Sequence, residues 1–427
     1  MDQHCGSFRL RVPVFSMEVV GLAAYYVALG FLAFYLDAVY VHGPSTPWPL
    51  REGIKDSAWI LLLPLFVPAL VKARMPSLWL ANFFLLFSLI IASLVMNPPG
   101  DGRVILAVIR NNMLYSIVPF AAGIQLAMRG YQSSFGRFVK NLALLQAVIA
   151  IAQRLFHLTS PYIVATKPDV SSAEDLVAHG GFLSYIELSA FLCLGMVYLV
   201  SRRQMGMAAG IQLLILCAGV VFSTARLGLI LVGVILLARF GVRVFAWIAL
   251  IAAFAAAFLW FGGNVRIVSE GLHTPRYANW LALIQSQPVS LVRLQYGFYG
   301  SATSAGGESG ANYVDSTIVS GYLQGGILGL AAVMFPFAAV FTREFRLRIG
   351  RWSYWLLWRG KWILWERTGV KNILLVLVLF SYSVVFNFAD GWPGNFLTWS
   401  TFGIIIGGYA QRRTNTDSRR SNEECRG

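Results

Sequence analysis

The chain has 427 residues, 57% of them apolar and only 12% charged, with 30 phenylalanines and a mean hydropathy of +0.65. Those proportions exclude an ordinary soluble domain and a disordered chain, and they predict an all-α, polytopic membrane protein. The net charge of +15 follows from membrane topology and attraction to anionic membrane lipids, so no nucleic-acid partner is needed to explain it.

A membrane-crossing helix takes about 20 mostly apolar residues, with a range of roughly 17 to 25. Runs of that order lie near 17–36, 55–71, 77–96, 104–127, 138–157, 181–200, 207–224, 226–241, 244–261, 317–340, 372–389 and 395–410, about twelve transmembrane helices in all. The first is read as retained, because Arg9 and Arg11 precede a long apolar stretch with no small-x-small cleavage site at its far end. The chain thus divides into nine spans over 1–261, a long outer loop at 262–316, a tenth span at 317–342, a basic Trp-rich interfacial segment at 343–371, spans eleven and twelve over 372–410, and a basic tail at 411–427.

Lys and Arg collect in alternate loops, as they do when positive residues are retained in the cytoplasm. Lys72 and Arg74, Arg129 to Lys140, Arg202 and Arg203, Arg239 and Arg243, Arg343 to Lys371 and the tail all fall on one side. Both termini are therefore expected in the cytoplasm. In this topology Cys5 and Cys425 are cytoplasmic while Cys193 and Cys217 lie within spans, so the outer loops have no disulfide framework.

Three segments break the pattern of spans and short loops. The outer loop 158–180 carries Lys167, Asp169, Glu174, Asp175 and His179; the longer outer loop 262–316 carries Arg266, Glu270, His273, Arg276, Arg293, Glu308 and Asp315. Loops beyond about 12 to 15 residues are more often functional or disordered than merely connecting. The third segment, 343–371, sets Trp352, Trp355, Trp358, Trp362 and Trp365 at helical spacing, with Arg351 inside their arc. It reads as a helix lying among lipid headgroups that anchors the protein, and as a lipid or protein contact in the alternative.

Charges that interrupt the spans say more. Arg110 lies about two turns below the outer end of the fourth span, Arg154 about one turn from the outer end of the fifth, Glu187 about two turns into the sixth, and Arg226 at the outer junction of the seventh and eighth. This outer-half bias predicts a polar cavity that opens outward, whereas a proton-coupled carrier keeps its ionisable groups nearer the midplane. Arg154 and Glu187 could equally snorkel or pair with one another. Around Arg226, Ser223 and Thr224 add hydroxyls, and the start of the eighth span adds free backbone N–H groups and the positive end of its dipole. Gly321, Gly325 and Gly329 recur every fourth residue, a stripe suited to close helix packing. The sequence contains neither an Asp-x-Asp pair for a metal-bound nucleotide sugar nor a phosphate-binding Gly-x-x-x-x-Gly-Lys-Ser/Thr loop.

Three stretches give the chain a family likeness. Ser223-Thr224-Ala225-Arg226-Leu227-Gly228 matches a Ser-x-x-Arg-x-Gly at the start of a span; Arg276-Tyr277-Ala278-Asn279-Trp280 matches an Arg-x-x-x-Trp early in the long outer loop; Asp315-Ser316-Thr317, followed by Gly321 to Leu330, matches the residue that closes the loop and the Gly-rich span after it. In these respects the chain resembles the bacterial O-antigen ligase and polymerase group, integral glycosyltransferases of the inner membrane. The resemblance implies a glycan carried on undecaprenyl diphosphate, transferred at the periplasmic face without metal, nucleotide or other cofactor. The acceptor is another lipid-linked repeat unit in polymerases and the lipid A core in ligases.

From the same resemblance, Arg226 and Arg276 hold the departing diphosphate, with Arg110 and Arg293 as further candidates. The base that deprotonates the acceptor hydroxyl is Asp315 or Glu308, with His273 third. Asp315 stands where family ligases place a histidine, which favours a polymerase over a ligase. It could also simply cap the tenth span. A chain-length regulator protein is a partner such a polymerase admits. A lipid-linked glycan flippase or exporter and a small-solute transporter are the competing classes.

Overall fold

The computed structural model describes residues 75–96, 109–156, 185–202, 205–223, 225–241, 280–281, 284–285, 288–294, 316–349, 368–385 and 394–424, with isolated positions at 98, 102, 105 and 178. The first two expected spans, the ninth, most of both outer loops and the tryptophan segment lie outside them. Every regular element among the described residues is helical: α1 (Ser77–Met96), a π-helical turn (Ile109–Leu114) that leads into α2 (Tyr115–Met128), α3 (Gln132–Leu155), α4 (Tyr185–Val200), α5 (Met207–Phe222), α6 (226–241), α7 (Thr317–Ile349), α8 (Thr368–Val385) and α9 (Gly394–Glu424). α1 and α3 are each long and apolar enough to cross a membrane, and the 317–344 part of α7 is comparably apolar but broken at Gly326. α4 and α5 are shorter apolar helices.

Contacts fix how the helices run. Ser189 meets Tyr382 near one end of α4 and α8, and Tyr198 meets Lys371 near the other, so these two helices are antiparallel. Gly136 and Tyr198, then Ala143 and Gly195, set α3 antiparallel to α4, and Gly219 against Ala147 brings α5 alongside α3. α3 and α8 therefore both run opposite to α4. Two ends follow. One carries Glu187, Arg226 and Ser383; the other carries Tyr198, Lys371, Glu344 and Arg412.

Between apolar helices in lipid the driving force is contact packing, so small residues decide which backbones approach. α2 and α9 are the clearest instance. A Cβ on Gly123 would fall 2.5 Å from the Ser400 carbonyl, one on Gly407 2.6 Å from that of Ile124, and one on Gly403 would overlap the carbonyl of Phe120. Beside this seam sits an aromatic cluster. Trp79 stacks on Phe120 at 4.7 Å between centroids, and Phe83 lies 4.9 Å from Trp399 and 5.3 Å from Phe120. Such pairs contribute about 0.5–1.5 kcal/mol each beyond area burial. Asn82 on α1 donates to the Ala332 carbonyl of α7 at 3.1 Å, which tethers α1 across the cluster.

Four expectations change. The fourth span is not one uniform α-helix, since Arg110 falls in the π-helical turn that precedes Tyr115–Met128. The fifth begins earlier, at Gln132. The helix that carries the last expected span continues beyond 410, to Glu424, through the charged tail. The tenth is broken at Gly326, whose φ of 67° and ψ of −152° are not helical.

That break reverses the chain. A Cβ on Gly321 would lie 2.9 Å from the Val333 side chain and 3.3 Å from the Gly329 carbonyl. In a continuous helix residues eight and twelve positions on would be about 12 and 18 Å further along the axis. The 317–325 half therefore folds back on the 327–349 half. Gly321 does serve close packing, as its stripe suggested, but against the other half of its own helix.

Candidate functional site

The site is assembled where the two halves of α7 meet the loop segment 288–294 and the ends of α4, α6 and α8. At the start of α7, Ser316 is fully buried and acts as the N-cap: its Oγ accepts from the Val319 N–H at 3.3 Å and donates to the Ser383 carbonyl of α8 at 3.5 Å. Among the described residues Ser316 is thus the side-chain cap of this terminus. Thr317 follows, 2% exposed, and its Oγ1 has no hydrogen-bond partner among the described residues.

The break at Gly326 is held open by the loop segment 288–294. Ile327 N–H donates to the Ser290 carbonyl and Leu328 N–H to the Leu291 carbonyl, both at 3.1 Å, so two donors freed by the break are satisfied by the loop. Only glycine suits position 326: its φ is positive, and a Cβ there would lie 2.6 Å from the Ser290 carbonyl.

This docking buries Arg293. The residue is 6% exposed, and neither Nη1 nor Nη2 has a hydrogen-bond partner among the described residues. Its guanidinium carbon lies 5.5 Å from the ring centroid of Tyr322, on the 317–325 half of α7. A cation–π contact recovers roughly 0.5–2 kcal/mol, well short of the several kcal/mol that burying a charge costs. A guanidinium in that position is matched to an anion, above all to paired oxygens that its planar fork can bind two at a time.

Arg226 is the first helical residue of α6. The turn at 223–225 separates α5 from α6, and Gly228 packs back against Val220. A side chain on Gly228 would overlap the Ser189 hydroxyl and come 3.1 Å from the Tyr382 hydroxyl; those two hydroxyls share a hydrogen bond of 2.6 Å. Arg226 is half-buried and has an interaction of its own within the structure. It sits in the first turn of a helix, where backbone N–H groups lack intrahelical acceptors and the dipole is positive. Glu187, 7% exposed, begins the neighbouring helix α4.

A chain of contacts links the two arginines. Arg293 lies over Tyr322, the helix bearing Tyr322 begins at Ser316, Ser316 bonds to Ser383, and the adjacent Tyr382 meets Ser189 and Gly228, two residues from Arg226. These contacts link α7 to α6 by way of α8. Of the other residues singled out in the sequence, Ser223 is fully buried and donates its hydroxyl to the Val220 carbonyl at 2.7 Å, so in this arrangement it shapes the turn before Arg226. Arg110 is half-buried in the π-helical turn and has an interaction within the structure. Thr224, Arg276, Glu308 and Asp315 lie outside the described residues. Trp280, which closes the Arg-x-x-x-Trp stretch, is 7% exposed.

Tyr382 and Ser189 belong to this neighbourhood although no motif in the sequence singles them out, and Ser316 and Tyr322 join it from within the third family-like stretch. Tyr382 and Ser383 sit together at the end of an apolar helix, and that placement is a usable signal. Arg293 also carried one, being flanked by Val289, Leu291, Val292 and Leu294. Among the described residues no group of three or more His, Cys, Asp or Glu side chains is placed to hold a metal ion. No family model matches this chain, and no curated protein sequence matches it.

Proposed function

We propose that the protein is a metal-independent glycosyltransferase of the bacterial inner membrane that joins undecaprenyl-diphosphate-linked oligosaccharide repeat units at the periplasmic face, in the synthesis of a surface or exported polysaccharide. The observation that carries this reading is Arg293, a guanidinium 6% exposed whose two terminal amino groups have no hydrogen-bond partner among the described residues, held beside a helix break in the same loop that ends at Asp315. An arginine in that state suits a ligand with clustered anionic oxygens, and a diphosphate in a lipid carrier is such a ligand at membrane depth. Arg226, at a helix start on the same end of the bundle, offers a second positive centre, and Arg276 in the long loop a third.

In this reading the acceptor hydroxyl oxygen attacks the anomeric carbon of the donor sugar while the bond from that carbon to the diphosphate oxygen breaks. The acceptor proton passes to a carboxylate, Asp315 in the first place and Glu308 in the second. The electron pair leaves with undecaprenyl diphosphate, whose new charge Arg293, Arg226 and Arg276 stabilise. Displacement in one step inverts the anomeric configuration. Ser316 supports the role of Asp315, since the neighbouring serine already caps the helix.

The experiment is a ladder assay. Purified protein in detergent, supplied with lipid-linked repeat units and no membrane potential, is expected to yield a series of longer glycans. No ladder, together with lipid-linked glycan crossing the bilayer in proteoliposomes, would replace the polymerase with a flippase. Transfer to lipid A core without self-extension would identify a ligase.

A further inference from the structure

Arg293 is seated in its buried position without the use of its terminal hydrogen-bond donors. A buried arginine is ordinarily held by acceptors, such as a carboxylate or backbone carbonyls, which take up the N–H groups of its fork. Here the contact is with a ring: the guanidinium carbon lies 5.5 Å from the centroid of Tyr322, while Nη1 and Nη2 have no hydrogen-bond partner among the described residues. An aromatic ring attracts a cation through its quadrupole and does not occupy the bidentate fork as a carboxylate would. The charge is held while its donors stay available.

Ring and guanidinium ride on two backbone segments that are joined independently of their own contact. Tyr322 belongs to the 317–325 half of α7, whose start is capped by Ser316 and tied to the Ser383 carbonyl of α8. The adjacent Gly321 packs so closely on the other half that a Cβ would lie 2.9 Å from the Val333 side chain. On the loop side, the Ser290 and Leu291 carbonyls accept from the Ile327 and Leu328 N–H groups, which sets Arg293 two residues beyond a docked backbone. The Arg293 backbone nitrogen itself would be 3.1 Å from a Cβ on Gly326.

We propose that Tyr322 is a positioning residue of the anion site: its ring holds the Arg293 guanidinium so that both terminal amino groups remain free for the diphosphate of the lipid-linked glycan. Tyr322 acts through Arg293 and does not itself touch the substrate. The identity of the anion rests on the glycan-transfer reading, whereas the seating of the arginine rests on the ring contact alone. The aromatic face carries the role, so phenylalanine can fill it and an aliphatic side chain cannot. Without the ring, the long arginine side chain is free to leave the geometry in which its fork meets two oxygens at once.

The test titrates inorganic pyrophosphate into the full-length protein purified in detergent, follows binding by calorimetry, and runs the ladder assay on the same samples. The wild type is expected to bind pyrophosphate. Tyr322→Leu should weaken that binding by about three- to thirtyfold, the factor that one cation–π contact represents, and Tyr322→Phe should restore it to nearly the wild-type level. The deciding comparison is made in an Arg293→Ala background, where Tyr322→Leu should cost nothing further because the ring has no cation left to hold. Equal losses with and without Arg293 would assign the ring to packing and overturn the proposal, as would full-strength binding in Tyr322→Leu or no pyrophosphate binding by the wild type. Should Tyr322→Leu fail to fold, Tyr322→Phe still decides, since weakened binding there would move the role from the ring to the hydroxyl. Failure of the glycan-transfer reading looks different: pyrophosphate binding that depends on Tyr322 only when Arg293 is present, with no ladder, would keep the positioning role and replace the substrate.

Discussion

At the residue scale, two arginines bracket what a sequence can and cannot disclose. Arg226 announces itself because a cation between two apolar runs is costly wherever it sits. Arg293 carries the same signature over a shorter stretch, yet in a long polar loop it ranks only as a further candidate behind Arg226 and Arg276. Its burial depends on the loop docking into a break in a helix some thirty residues on, and no local pattern encodes that contact. Arg293→Ala is expected to lower the rate of chain growth about 10²- to 10³-fold, the range for losing one donor that stabilises a developing anion. Arg293→Lys should restore little, because an ammonium is a point charge and cannot present a planar fork. Single-turnover kinetics on equal amounts of membrane-inserted protein would measure this; wild-type rates in the alanine variant would assign the arginine a structural role. Arg226→Ala and Arg276→Ala are expected to abolish chain growth at unchanged protein levels. For Asp315→Asn the chemical step should fall by about 10²- to 10⁴-fold with lipid-linked substrate still bound. Normal turnover in that variant would move the base to Glu308.

At the element scale, α7 is the informative case. Its apolar length, its glycine stripe and its position after the long loop were all legible, but the reversal at Gly326 was not. Gly321, Gly325, Gly326 and Gly329 look alike in sequence, and only the loop carbonyls of Ser290 and Leu291 single out one of them as the break. Gly326→Ala imposes a left-handed backbone on alanine, a cost of roughly 1–2 kcal/mol, and also sets a methyl group against the Ser290 carbonyl. A loss of at least about 2 kcal/mol in stability is therefore expected, with activity falling further because Arg293 loses its seat. Thermal unfolding followed by tryptophan fluorescence would register the first effect. An unshifted midpoint would mean that the loop does not dock there in solution. The capping of α7 shows the same limit: Asp and Ser are both good N-caps, and the sequence alone does not choose between Asp315 and Ser316.

At the scale of the whole molecule, composition was enough for a helical membrane protein, since that property sums over many residues. Which helices touch was not legible. The α2–α9 seam rests on Gly123, Gly403 and Gly407, three glycines among the 40 in the chain, and its pairing is set by shape in three dimensions. The expected orientation has a direct check. In a background without native cysteines, Val289→Cys and Met207→Cys place thiols at exposed positions near opposite ends of the bundle. A membrane-impermeant maleimide added to intact cells should label position 289 and not 207. The reverse pattern would invert the topology and put the arginines on the cytoplasmic side.

The measurement closest to the central claim counts what leaves. Purified protein and lipid-linked repeat units are followed by phosphorus NMR while glycan length is read on a gel, for the wild type and for Arg293→Ala. One undecaprenyl diphosphate released per new glycosidic bond, at a rate that collapses in the variant, is the expected result. Glycan extension without release of that diphosphate, or release that proceeds unchanged without the arginine, would contradict it.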